Sequence, residues 1–216
     1  MDLRKQIESY VPFDEPEKEI KEYMLKWFDT FEDVLTRENE FGHFASSAFV
    51  VNKDRTKMLV VYHNIYDAWI FPGGHADGEE NLLSVAIREV EEETGLKTKV
   101  LDDSIFAISA SPIIGHIKRG KYIPAHTHLD VVYLLEADDK QPLTFKEDES
   151  KGVKWITFEE ATGVNVPHKI GGRRAGDIEK IWANPKKANE ILGWKAQEDI
   201  KDTMRNAWKW QCNCNN

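Results

Sequence analysis

Cysteine is nearly absent from this chain: of 216 residues only Cys212 and Cys214 carry thiols. One residue apart, they cannot close a loop of useful size, so no disulfide framework is expected and a reducing compartment fits. A metal site on that tail would need more ligands than it shows, and an exposed terminus is the plainer reading. Also lacking is any apolar run near the roughly 20 residues that span a bilayer. The stretch Met1 to Tyr10 is charged instead of basic-then-apolar, so the expectation is a cytoplasmic protein without membrane attachment. Basic residues are in deficit: 29 Lys and Arg against 38 Asp and Glu give a formal net charge of −9. That balance argues against a broad grip on nucleic acid or on an anionic membrane. A phosphate ligand would be held locally, by a metal ion or a few basic side chains.

What is present suffices for one good core. The composition is 41% hydrophobic and 31% charged, with seven Trp, which fits a folded domain with an appendage. Pro12 and Pro16 punctuate a polar start, after which Ile20, Met24, Trp27, Phe28 and Phe31 recur at helical spacing, predicting an N-terminal helix with one buried face. From Phe44 the texture becomes β-rich: strands are expected over Phe44 to Val51 and Met58 to Tyr62, with a turn at Asn52 to Lys57. A short aromatic run from Asp67 to Pro72 stops at Gly73 and Gly74, and a helix is expected from about Glu80 to Thr94, ended by Gly95. Further strands are expected near Lys99 to Leu101, Ile105 to Ile113, Tyr122 to Glu136 and Val153 to Thr157, with a basic turn at Lys118 to Lys121. Strands interrupted by one central helix point to an α/β fold, a mixed sheet flanked by helices. The divisions are an N-terminal helical extension at 1–40, a central domain at 41–157 and a Trp-rich helical appendage at 158–216.

The chemistry concentrates between Gly74 and Leu96, where the sequence reads GHADGEENLLSVAIREVEEETGL. Leu83, Ala86, Ile87 and Val90 would share a stripe facing the core. Glu89, Glu92 and Glu93, at i, i+3 and i+4, would share a stripe beside it and converge. Like charges so spaced repel by a few tenths of a kcal/mol per pair, roughly, so something cationic is expected among them. Hard oxygen ligands on a rigid element suit Mg²⁺ or Mn²⁺, which would bridge oxygens of a substrate pyrophosphate. Arg88 would lie between this stripe and the sheet and hold carboxylates in place. Gly73 and Gly74 allow a sharp turn that brings backbone close to the ion.

Gly74, Glu80, Arg88, Glu89, Val90, Glu92, Glu93, Gly95 and Leu96 fill every fixed position of G-x5-E-x7-R-E-U-x-E-E-x-G-U, with U aliphatic. In this the chain resembles the Nudix hydrolases, and the strand order from about Gly42 to Thr157 looks like the Nudix α/β/α sandwich. The resemblance implies that Glu92 and Glu93 bind the divalent ion, that Glu89 binds it or orients the attacking water, and that Glu80 and Arg88 brace the loop-helix. It implies hydrolysis of the pyrophosphate bond in a nucleoside diphosphate linked to another moiety. It also implies a further acid from a later loop, where Glu147, Asp148 and Glu149 stand; Glu149 is the favoured candidate, against an ordinary solvated turn.

Candidates for the substrate pocket are less sharply drawn. His126, His128 and Asp130 alternate along one strand and share a face. They would line the substrate cleft, hold a second metal, or form a hydrogen-bonded polar face without function. Lys118, Arg119 and Lys121 would hold a distal phosphate or simply solvate a hairpin. His75, inside the box loop, is assigned no role.

From about Phe158 to Gln211 the sequence resembles the C-terminal end of UDP-glucose 4-epimerases. The likeness rests on Gly172 to Asp177 (GRRAGD), Asn184 to Trp194 (NPKKANEILGW) and Trp208 to Gln211 (WKWQ). It implies that Arg173, Arg174 and Asp177 correspond to residues near a UDP moiety. The dinucleotide-binding fingerprint has no counterpart here, so epimerase activity is rejected. A tail of this size makes a marginal core and would seek burial against the central domain or a second chain, which makes a homodimer plausible. Two other readings stand beside the enzyme: a catalytically silent Nudix-fold sensor of a nucleotide or UDP-sugar, and a partner-binding module centred on the tail. Retention of all three helix acids favours catalysis.

Overall fold

The computed structural model describes residues 2–64, 66–118, 120–145 and 150–163. The chain divides into two units, Met1–Gly176 and Asp177–Asn216, and every described residue belongs to the first. No described helix is long and apolar enough to cross a membrane.

Two helices open the chain where the spacing predicted one: α1 (Leu3–Ser9) and α2 (Glu15–Thr30). Each is capped by an aspartate, Asp2 accepting from Arg4 N–H and Asp14 from Glu17 N–H. Pro16 sits in the first turn of α2, where its missing N–H costs nothing, while Pro12 keeps the connection non-helical. Glu17 is buried at that junction because its carboxylate accepts from the Tyr10 hydroxyl and from Phe13 N–H, both at 2.7 Å.

The sheet is built from β1 (Gly42–Asn52), β2 (Lys57–His63), β5 (Thr98–Val100), β9 (His126–Ala137) and β10 (Ser150–Thr157) in the order β10-β2-β1-β9-β5. Three short strands pair alongside: β3 (Ala68–Ile70) with β2, β4 (Gly73–His75) with β1, and β6 (Ala107–Ile113) with β9. β1 and β9 run parallel, from Gly42 opposite Thr127 to Asn52 opposite Ala137, and the other pairs are antiparallel, so the sheet is mixed as expected. A separate hairpin joins β7 (His116–Lys118) to β8 (Lys121–Ile123). The single strand expected from Tyr122 to Glu136 is therefore broken; Pro124, which cannot donate to a ladder, falls in the gap between β8 and β9.

The alternation of a strand sorts β1 into two faces. Phe44, Ser46 and Ala48 face the helix α3 (Leu82–Thr94), and the Ser46 hydroxyl donates to Leu82 C=O at 2.6 Å. Phe28 of α2 stacks on Phe44 at 5.1 Å. His43, Ala45, Ser47 and Phe49 point the other way, where Phe158, at the head of α4 (Phe158–Thr162), stacks over Phe49. The core lies on the α3 side: Ile7, Met24, Phe44, Leu59, Leu82, Val85, Leu129 and Tyr133 are fully buried in one cluster.

Two sequence expectations for α3 shift. It starts at Leu82, because the Asn81 side chain accepts from Ser84 N–H and caps the helix there. Its buried stripe is Leu82, Val85, Ala86 and Val90, whereas Leu83 and Ile87 are only partly buried at the margin of the core. Gly95 ends it with φ 72°, donating its N–H to Glu91 C=O.

Candidate functional site

The site begins with how β4 meets α3. Gly74 lies opposite Ser46 and Gly73 opposite Ser47, so β4 is an edge ribbon on β1. Having no side chains there, its backbone comes directly against the helix. Gly73 N–H donates to Glu93 Oε2 at 3.0 Å, which accounts for a glutamate that is only 7% exposed. The Glu89 carboxyl group lies against Gly74 so closely that a Cβ on that glycine would stand 2.5 Å from Glu89 Cδ.

Arg88 organises the outer side. Its Nη1 pairs with Glu79 Oε2, its Nη2 lies 3.7 Å from Glu89 Oε1 and its Nε 3.9 Å from Glu92 Oε1. The hydrogen bond to Glu79, then the charges of Glu79, Glu89 and Glu92, hold the guanidinium's pKa above its usual value. Arg88 is thus partly exposed and reaches outward, instead of lying between the acids and the sheet. Its partner in the loop is Glu79, while Glu80 is exposed. The same loop turns through Asp77 (φ 48°) and Gly78 (φ 90°), and Arg37 grips Asp77 through Nε–Oδ1 at 2.7 Å and Nη2–Oδ2 at 2.5 Å. Sequence reasoning had no means of pairing Arg37 with a loop so far along the chain.

Glu89, Glu92 and Glu93 therefore occupy one helix flank, but they do not gather at a single point. Glu93 is drawn to Gly73 N–H, Glu92 to Arg88, and Glu89 lies on Gly74. Among the described residues, the group whose ligand atoms all lie within 4.8 Å of one another consists of His43, His75 and His128.

On the sheet face away from α3 lies a cavity of about 190 Å³. All six histidines among the described residues line it: His43, His63, His75, His116, His126 and His128. Topology brings them together: His43 on β1 pairs with His128 on β9, and His75 on β4 pairs with Ala45, one alternation along from His43. His126 Nδ1 lies 2.8 Å from Pro124 O, and its Nε2 lies 3.2 Å from His128 Nε2. Burial, then the neighbouring histidines, pushes the His128 pKa down to about 2, and burial lowers that of His43. Asp130 shares this face; burial raises its pKa to about 6, against the opposing hydrogen bond from Ser47 Oγ at 3.0 Å.

Lys121 and Tyr122 of β8 also line the cavity. The Lys118 side chain, Arg119, Glu149 with its neighbours Glu147 and Asp148, and the epimerase-like positions Arg173, Arg174 and Asp177 lie outside the described residues. His43 and His75 were missed as site residues in the sequence, since neither stands in a local pattern with His126 and His128.

The profile of the NUDIX domain matches residues 42–176. Similar solved structures include a NUDIX-family hydrolase from Clostridium perfringens, 24% identical with a TM-score of 0.42, covering 57% of this chain and 86% of that one. Another is a C. elegans Ap4A hydrolase in a binary complex, 19% identical with a TM-score of 0.41, covering 56% of this chain and 83% of that one. Curated relatives match over a short segment. UDP-glucose 4-epimerase of Yersinia enterocolitica is 48% identical over 54 residues, 25% of this chain and 16% of the epimerase. The Schizosaccharomyces pombe enzyme is 43% identical over 54 residues, 25% of this chain and 15% of that one. The chain thus spans no more than about a sixth of the length of these epimerases.

Proposed function

This chain belongs to the NUDIX domain family, a family of pyrophosphohydrolases, and we propose from that membership that it splits a pyrophosphate bond in a nucleoside diphosphate linked to another moiety, using Mg²⁺ or Mn²⁺. The observation that carries this reading is the seating of the helix acids on the two glycines of β4: Glu93 on Gly73 N–H and Glu89 against Gly74. The donor set fits a hard divalent ion, since Glu89, Glu92 and Glu93 supply carboxylate oxygens from one rigid helix and Gly74 supplies backbone with no Cβ in the way. When bound, such an ion offsets the negative charge on the pyrophosphate oxygens.

The chain's own groups then divide the work. Glu89, pinned against Gly74, orients the water that attacks phosphorus or accepts its proton. Arg88 positions Glu89 and Glu92 by its charge, and Glu80 supports the loop-helix. Glu149 is the proposed further acid. His126, His128, Lys118 and Arg119 are the proposed contacts to the substrate beyond the bond that breaks. Support for a pocket there comes from the cavity that His126 and His128 line.

The test is a hydrolysis screen in Mg²⁺ and in Mn²⁺ across nucleotide sugars, ADP-ribose, dinucleoside polyphosphates and damaged nucleoside triphosphates. The short likeness to UDP-glucose 4-epimerases is the reason to include UDP-sugars. Turnover lost in Glu92→Gln and Glu93→Gln supports the reading; equal turnover in wild type and both variants removes it.

A further inference from the structure

Hydrogen bonds to backbone carbonyls fix which ring nitrogens of the histidine cavity carry protons. His43 Nδ1 lies 3.4 Å from Asn39 O, and a carbonyl can only accept, so Nδ1 holds the proton and Nε2 keeps a lone pair. His43 Nε2 is buried and has no hydrogen-bond partner. A buried polar atom left so is costly, and a lone pair aimed among other imidazoles is what a metal ion would satisfy. His126 donates from Nδ1 to Pro124 O, so its Nε2 accepts from His128 Nε2–H, and the lone pair of His128 falls on Nδ1. A metal-bound histidine commonly donates its other N–H to a backbone carbonyl, as His43 does directly.

The framework is equally suited. The rings of His43, His75 and His128 form a triangle, with centroids 5.1, 5.1 and 4.8 Å apart. They stand on three strands of one sheet, so their backbones are held by β-ladders. Ligation at about 2.0–2.1 Å wants nitrogens roughly 3.3 Å apart, a closure from within 4.8 Å that ring rotation supplies.

We propose that His43, His75 and His128 bind one divalent ion of the zinc class, leaving a fourth coordination position open to the cavity. Neutral imidazoles select such ions, whereas the carboxylates of α3 select Mg²⁺ or Mn²⁺, so the two sets sort different metals. The open position takes water, or an anionic oxygen of whatever enters between Tyr122, Lys121 and His116. This site does not depend on the proposed hydrolysis, and its test does not read turnover.

The experiment uses the full chain with Cys212→Ser and Cys214→Ser, so that thiolates contribute nothing, stripped with a chelator and titrated with Co²⁺. The expected result is the intense visible absorption of a four- or five-coordinate nitrogen site, saturating at one equivalent and abolished by Zn²⁺. His75→Gln and His128→Gln each weaken it at least about tenfold, with unchanged circular dichroism. The double variant Glu92→Gln/Glu93→Gln keeps the spectrum. Because His43 is buried and its loss can unfold the sheet, the result is read from the His75 and His128 variants. Only weak octahedral absorption, a spectrum indifferent to both histidine changes, or one lost in the glutamate double variant overturns the proposal.

Discussion

Alanine at position 74 separates the geometry of the helix acids from the stability of the fold. Its Cβ would stand 2.5 Å from Glu89 Cδ and 2.6 and 2.7 Å from the two carboxylate oxygens. These atoms are the free end of a flexible side chain, so Glu89 rotates away, and an off-rotamer side chain costs about 0.5–1.5 kcal/mol. Alanine at position 73 meets something different: Ser47 Oγ, Ser46 O at 2.6 Å and Ser47 Cα at 2.8 Å. Two of those contacts are backbone of β1, held in register with β9, and overpacking of that kind costs about 1–3 kcal/mol. Gly74→Ala should therefore unfold in urea within about 1 kcal/mol of wild type, while hydrolysis in saturating Mg²⁺ falls about a hundredfold, the scale of a 1 Å misplacement. Gly73→Ala should lose clearly more stability. Full turnover by a folded Gly74→Ala would refute the reasoning, because the position of the Glu89 carboxylate would then be irrelevant to the reaction.

Arg88→Ala releases Glu79, Glu89 and Glu92 together; turnover should fall about tenfold and the Mg²⁺ dependence should change, while stability moves by no more than about 1 kcal/mol because the guanidinium is partly exposed. Unchanged turnover and metal dependence would leave Arg88 a surface ion pair only. Burial raises the Tyr133 pKa from 10 to about 12, so between those pH values the native state holds a proton that the unfolded chain has lost. Stability should fall as pH rises through that window, by at most about 2.7 kcal/mol from two pH units at 1.36 each. Tyr133→Phe should cost about 1 kcal/mol at neutral pH through its bond to Gln6 and should flatten the slope; urea midpoints falling in parallel with wild type would contradict this. EDTA should abolish hydrolysis and added Mg²⁺ restore it, and activity persisting after exhaustive chelation would end the metal reading.

The elements legible in the sequence are those whose signal is local. The β-rich run of β1 and the acid spacing of α3 each lie within one element, and Gly95 marks the helix end by a conformation glycine readily adopts. The start of α3 was misplaced because an apolar period does not see the Asn81 side chain competing for Ser84 N–H. Two members of the stripe, Leu83 and Ile87, give way to Leu82 and Val85 for a related reason: these residues are similarly apolar, and the sheet determines which are buried. The first helix, α1, was not expected because its seven residues bury only Leu3 and Ile7, too few to display a helical period. Arg37 with Asp77, and His43 with His75 and His128, depend on pairing between distant strands and loops, which no local period encodes.

β4 shows how closely the two donor sets are joined. It is three residues long, and successive residues of a strand face opposite sides. Gly74 turns its bare side toward Glu89 on α3, whereas His75, one step on, turns toward His43 and His128 on the opposite face. The oxygen donors belong to a helix and the nitrogen donors to strands, so the sheet itself separates them although Gly74 and His75 are adjacent in sequence. That alternation leads to a directional consequence. Filling space at Gly74 should move Glu89 and leave the histidine triangle intact, so the Co²⁺ spectrum expected of the histidines should survive Gly74→Ala while hydrolysis does not. Loss of both together would mean that β4 shifts as a unit, and the two sets would then have to be treated as one site.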